Sequence, residues 1–209
     1  MNKARIAVLV SGGGTNLQAL IDAQNQGIIT SGEIVLVVSG NAKAFALQRA
    51  ETAGLPTQTV VRKDCGSQEA FEQRLIEILD AAHIDLIILA GFMNILSGNF
   101  TAHYPEQIIN VHPSLIPSFC GKGFYGLKVH EAALAYGVKV TGATVHFVNE
   151  IPDGGRILLQ KAVPVQPDDT PETLQHRVME QAEWILLPQA AEQVCFDILK
   201  KRRTEHEHI

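Results

Sequence analysis

The chain has 209 residues, 46% of them hydrophobic, and a formal net charge of -5. That length supports one sizeable core, and the acidic balance supplies no general basic field for nucleic acid, so small molecules are the expected partners. Cys65, Cys120 and Cys195 form no CxxC pair, which argues against a disulfide framework or zinc knuckle and fits a reducing, cytoplasmic setting. The apolar run from Ile6 stops at the glycines from Gly12, too short for a signal peptide or membrane span.

Ile6 to Val10, Ile34 to Val38, Thr57 to Val61 and Leu86 to Leu89 read as strands, with helices over Leu17 to Ala23, Phe45 to Ala53 and Ala70 to Leu79 between them. Strands without internal polar residues, such as Ile34-Val35-Leu36-Val37-Val38, are what a parallel sheet covered on both faces requires. The expected class is therefore α/β, with a doubly wound, mostly parallel, Rossmann-like sheet. After Ile108-Ile109-Asn110-Val111 the pattern changes. Val140 to Val148 and Arg156 to Val163 alternate on either side of a Pro-Asp-Gly-Gly turn, predicting an antiparallel hairpin that extends the sheet. Asp168-Asp169-Thr170-Pro171-Glu172 then starts a long C-terminal helix with Leu174, Val178, Ala182, Ile185 and Leu186 at helical spacing. A single domain is expected over 1–209. Its phosphate-binding half spans about 1–105, its catalytic half about 106–198, and 199–209 form a charged, flexible tail. The proline and glycine cluster from Pro113 to Gly126 reads as a long functional loop.

Ser11-Gly12-Gly13-Gly14-Thr15-Asn16 joins the first strand to a helix, where backbone N–H groups can close around a phosphate. The same residues also suit an ordinary tight turn with Thr15 or Asn16 capping the helix. Asn110 and His112 end a buried strand two residues apart, so both side chains point to one face at the carboxyl edge, where open α/β sheets bind ligands. Pro113 keeps His112 extended. An amide donor can bond the oxygen of a carbonyl under attack, and a histidine can shuttle the nucleophile's proton. Asp153, at the hairpin turn, would orient that histidine or hold a proton-relaying water if the fold brings it near. On pattern alone, Asn110 also suits a loop cap, His112 a structural hydrogen bond, and Asp153 plain turn chemistry. Alternation over Thr144 to Val148 either puts His146 on the active-site side or leaves it a satisfied strand histidine, the second being the expected reading, and Cys120 reads as an ordinary free thiol.

Four segments carry a resemblance: Ser11 to Ala19, Leu89-Ala90-Gly91-Phe92-Met93-Asn94-Ile95-Leu96, Asn110-Val111-His112-Pro113-Ser114-Leu115-Ile116-Pro117, and Thr144 to Val148 with Asp153-Gly154-Gly155. In this order they resemble the phosphoribosylglycinamide formyltransferases over nearly the whole chain. The resemblance implies formyl transfer from 10-formyltetrahydrofolate, a cosubstrate, to the amine of glycinamide ribonucleotide in purine synthesis, with no metal or nicotinamide. It implies Asn110, His112 and Asp153 as the catalytic trio and Gly14, Thr15 and Asn16 as the phosphate site. It also implies a folate pocket edged by Phe92, Met93, Asn94, Ile95, Leu96, Asn110 and Val148, with Lys63 or Arg62 at the folate tail. No nucleic acid or membrane partner is expected, and the chain is expected to be a monomer or homodimer. Two features depart from the pattern: an insert, Lys122-Gly123-Phe124-Tyr125-Gly126-Leu127, and Glu183-Trp184 where a Glu-His pair is expected at the amine substrate. Both bear on amine specificity, and an amino-sugar acceptor is the rival that shares the trio.

Overall fold

The computed structural model describes residues 3–206. Seven strands, β1 (Ala4–Val10), β2 (Gly32–Ser39), β3 (Thr57–Thr59), β4 (Leu86–Leu89), β5 (Ile108–His112), β6 (Val140–Phe147) and β7 (Ile157–Pro164), form one sheet. Their order is β3-β2-β1-β4-β5-β6-β7. The first five run parallel, while β6 and β7 pair antiparallel and make the expected hairpin extension. Helices α1 (Thr15–Asn25), α2 (Phe45–Thr52), α3 (Gln68–Ala81) and α4 (Gly98–His103) belong to the parallel half, and α5 (Leu127–Tyr136), α6 (Pro171–Val178) and α7 (Trp184–His206) follow β5.

Alternation along β1 sorts its side chains into two cores, one on each face of the sheet. Ile6, Val8 and Val10 join a cluster with Leu17, Leu20, Val178, Leu187 and Cys195, whereas Ala7 and Leu9 join Phe71, Leu75, Leu79 and Phe100. The α3 contribution repeats every four residues, and the helix begins at Ser67, whose hydroxyl accepts the Ala70 N–H at 3.1 Å. Thr170 caps α6 in a reciprocal box with Thr173, and Pro171 occupies the first turn, as the sequence pattern predicts.

The C-terminal helix differs from expectation in phase and extent. A π-helical turn over Met179–Glu183 separates α6 from α7. Its extra residue rotates all later positions by about 100°. Ile185, expected on the buried face, is consequently 38% exposed, and Leu187 is fully buried beside Leu186. The expected tail is helical from 199 through His206, with Ile198 and Leu199 packed on the first core and Arg202 paired to Asp85; 207–209 lie outside the described residues. β6, expected to alternate, is buried from Thr141 through Phe147 because both of its faces are covered. Among the described residues no helix is long and apolar enough to cross a membrane.

The strand order reverses between β1 and β4, and the crevice beyond the carboxyl ends of such strands is where open α/β sheets hold ligands. Ser11 to Asn16 follow β1, Ala90 to Leu96 follow β4, and Asn110 and His112 end β5.

Candidate active site

At the carboxyl end of β5, Asn110 stands opposite His146 of β6, and His112 stands opposite Thr144. His112 is buried, and its Nε2–H donates to the Phe119 carbonyl at 2.9 Å, so Nδ1 is the nitrogen turned toward Asp153, 3.5 Å from Oδ2. Burial lowers the His112 pKa, and the Asp153 carboxylate and the Phe119 carbonyl partly restore it. His130, fully buried on α5, is pushed down to about 4 by burial and by the nearby His112.

Asp153 lies between Phe147 and β7, in the predicted turn, with φ of 57°. Aspartate is among the few side chains that tolerate this left-handed region. The turn is tight: a Cβ at Gly155 would lie 1.7 Å from the Phe147 carbonyl oxygen. Oδ2 of Asp153 accepts the Gly121 N–H at 2.8 Å, and Oδ1 lies 3.6 Å from His146 Nε2. Burial alone would raise the Asp153 pKa. It is outweighed by the His146 ring, the His112 ring and the Gly121 N–H, which together hold the carboxyl below its usual value. The three residues singled out by the sequence are thus brought together at one sheet edge.

The Gly121 contact places the insert beside this site. Phe124 packs edge-on against Phe119, with ring centroids 6.4 Å apart, and Lys128 lies 4.5 Å from the centre of the Tyr125 ring. Behind the loop, Thr144 Oγ1 donates to the Ser114 carbonyl and accepts the Ile116 N–H, pinning the chain just past His112 to β6.

Next to the first strand, α1 begins at Gly14, whose φ is 73°, with no side-chain cap. Neither Thr15 nor Asn16 serves as the cap that a plain tight turn would use. A Cβ on Gly14 would lie 2.6 Å from Ala46 Cβ, so the loop packs directly on α2. Asn16 is bound elsewhere: its Nδ2 donates to Glu183 Oε2 at 2.7 Å. Glu183 is buried, and that burial pushes its pKa up to about 7 against the opposing Asn16 bond. The Glu183-Trp184 departure therefore leaves a carboxyl in contact with the glycine loop.

The loop after β4 is braced rather than free. Ser11 Oγ accepts the Met93 N–H at 3.0 Å, Gln68 donates to the Ile95 carbonyl at 3.0 Å, and the buried Glu72 carboxylate accepts the Ser97 N–H at 2.7 Å and the Ser97 hydroxyl. Met93 and Ile95 are exposed, while Phe92 and Val148 pack against the second core, with Phe92 stacked on Phe71. The Leu96 side chain is buried in the second core. Lys63 and Arg62 are both exposed on a 3-10 turn, Arg62–Asp64, between β3 and Ser67.

A family profile for formyl transferases matches residues 4–190. The chain belongs to the formyl transferase family. It is 42% identical to the phosphoribosylglycinamide formyltransferase of Escherichia coli, over 84% of this chain and 80% of that protein. It is 47% identical to the trifunctional purine biosynthetic protein adenosine-3 of Gallus gallus over 93% of this chain, which spans only 19% of that longer protein. The glycinamide ribonucleotide transformylase 1 structure from Symbiobacterium toebii superposes with a TM-score of 0.87 at 40% identity, covering 93% of this chain and 89% of that one. Membership implies a folate-type formyl donor.

Three contributors are not evident from sequence pattern: His146, Glu183 and Glu72. The Thr144-Val145-His146 alternation signals the placement of His146, but its partners depend on strand register. Glu72 is expected to matter through the loop it holds. Glu72→Ala should lower unfolding free energy by about 1–3 kcal/mol, the cost of a buried donor left unpaired. It should also raise KM for the folate donor more than it lowers kcat. Urea melts and donor titrations would check both, and an unchanged donor KM would remove Glu72 from any role at the pocket.

Proposed function

We propose that this formyltransferase moves the formyl group of 10-formyltetrahydrofolate to the amine of glycinamide ribonucleotide, giving formylglycinamide ribonucleotide and tetrahydrofolate in cytoplasmic purine synthesis. The observation that carries the reading is the meeting of Asn110, His112 and Asp153 at the sheet's carboxyl edge, beside a glycine loop that leads into an uncapped helix. It is supported by relatives named for this reaction that match across about four-fifths of their own length. The three free cysteines suit a reducing compartment.

The acceptor is a primary amine with a pKa of about 8, so it must shed a proton before attack. Its nitrogen forms a bond to the formyl carbon, and the carbonyl oxygen gathers negative charge. Asn110 donates to that oxygen. His112, with Nε2 tied to Phe119 and Nδ1 on the Asp153 side, would add a second donor when protonated, and Asp153 beside it favours that protonated ring. The bond from the formyl carbon to the folate nitrogen then breaks, and the proton released by the amine passes through Asp153 and water to that leaving nitrogen. One positioned donor of this kind is typically worth about 2.7–4 kcal/mol of barrier.

Gly14, Thr15 and Asn16 would hold the substrate phosphate with the free N–H groups opening α1, and Glu183, through Asn16, would set that loop's position. The folate would lie against Phe92, Met93, Asn94, Ile95 and Val148 and reach Asn110, its tail toward Lys63 or Arg62. Leu96, with its side chain in the second core, would offer the folate its backbone groups.

The test mixes the protein with 10-formyltetrahydrofolate and glycinamide ribonucleotide, an amino-sugar nucleotide, or no amine, and follows loss of the formyl folate by absorbance. Turnover with glycinamide ribonucleotide alone is expected. Turnover only with the amino sugar would move the acceptor assignment to the insert's influence, and binding without turnover would end the enzymatic reading.

A further inference from the structure

The geometry points to His146 as a positioning residue that sets the Asn110 amide for formyl transfer; this rests on the functional reading above. His146 is 1% exposed, and its Nδ1–H donates to the Phe147 carbonyl at 2.8 Å. A carbonyl can only accept, so the proton of the neutral ring is held on Nδ1 and Nε2 carries a lone pair. The side chain facing that lone pair is the Asn110 amide, with Nδ2 at 3.3 Å.

An amide can present either its nitrogen or its oxygen to a neighbour, and only the nitrogen satisfies a lone pair. His146 therefore decides which way Asn110 faces. With the amide nitrogen held on this side, its second N–H is the donor left for the reacting oxygen. Asp153 Oδ1 lies 3.6 Å from the same Nε2, so a second proton on the ring would be held by Asp153, and the neutral ring is the form that orients Asn110.

Backbone geometry supports a placed ring rather than incidental packing. β6 pairs with β7 residue for residue up to Val145↔Leu159, then slips so that His146 stands opposite Ile157. The extra residue, Leu158, is on β7, so the bulge lies directly across from His146, and bulges are over-represented next to sites of chemistry.

The test combines imidazole 15N NMR with kinetics. In the wild-type protein near neutral pH, the His146 signals are expected to report protonated Nδ1 and bare Nε2. His146→Leu should displace the Asn110 side-chain amide signals and lower kcat about 100-fold, the scale of one misaligned oxyanion donor, with KM for both substrates within about twofold. His146→Gln, whose Oε1 can accept from Asn110, should recover about tenfold of that loss. Asn110→Ala with His146→Leu should fall no further than Asn110→Ala alone, because the two act through one donor. A proton on Nε2, wild-type kcat in His146→Leu, or multiplying losses in the double variant would overturn the proposal. If the leucine variant fails to fold, the wild-type tautomer and the glutamine variant decide it. Absence of formyl transfer by the wild-type protein would instead sink the functional reading, while the ring tautomer and the Asn110 amide signals would still decide whether His146 orients that amide.

Discussion

Asp153→Asn is expected to lower kcat by about two to four powers of ten, the range for losing a positioned proton-transfer group, with little change in either KM. The substitution isolates the charge. Asparagine tolerates the left-handed backbone at this position, and its carbonyl oxygen can still accept the Gly121 N–H now held at 2.8 Å. What disappears is the negative charge 3.5 Å from His112 Nδ1. Burial already lowers the His112 pKa, and Asp153 is the largest of the influences opposing that fall. Without it, the protonated ring is lost at lower pH. Activity that needs the imidazolium declines as pH rises through the His112 pKa, so the alkaline limb of kcat/KM should move to lower pH in the variant. A scaled-down profile with an unmoved limb would leave Asp153 only as a proton relay. Wild-type kcat would remove it from the mechanism.

Glu183→Gln is expected to stabilise the fold above neutral pH. The buried carboxyl rises from 4.5 to about 7, chiefly through burial. A raised carboxyl binds its proton more tightly folded than unfolded. Its contribution is therefore complete below 4.5 and is lost as pH climbs through about 7. The loss approaches about 3 kcal/mol, since each tenfold gain in proton affinity is worth about 1.4 kcal/mol. Glutamine carries no charge to bury, and its Oε1 can still accept the Asn16 Nδ2–H now held at 2.7 Å. Urea unfolding at about pH 5 and about pH 8 should show the variant pulling ahead only at the higher value. Parallel stabilities at both would mean that the ionised carboxylate is accommodated without strain.

Much of the site's location is legible in local pattern. Unbroken apolar runs identify strands buried on both faces, and Asn110 and His112, two apart at the end of one, must share a face. The glycines after β1 and the Asp-Gly-Gly turn before β7 announce their loops through backbone permissiveness alone. His146 is visible as a strand residue, but its pairing with Asn110 is a matter of register between strands more than 30 residues apart in the chain. Glu183 is the matching half of an expected Glu-His pair in which Trp184 is the departure. Its contact with Asn16 spans 167 residues and has no local signal.

The C-terminal helix divides the same way. Its start is readable from Thr170-Pro171 and the acidic residues around them, because capping is local chemistry. Its phase beyond Glu183 is not, because one π turn shifts every later residue to a new face. Its length is not readable either. A charged stretch is solvated by default, and here Ile198 and Leu199 on the core and Arg202 on Asp85 keep it helical.

Periodicity and turn chemistry act within a few residues, and they suffice for the α/β class, the buried strands, and the loops and strand ends that carry Asn110, His112 and Asp153. Three-dimensional packing was needed to establish that Asp153 reaches His112, that Gly121 beside the insert holds Asp153, and that His146 faces Asn110. Those distances depend on how separate strands and loops come together, and local patterning specifies which face is buried without specifying what it meets.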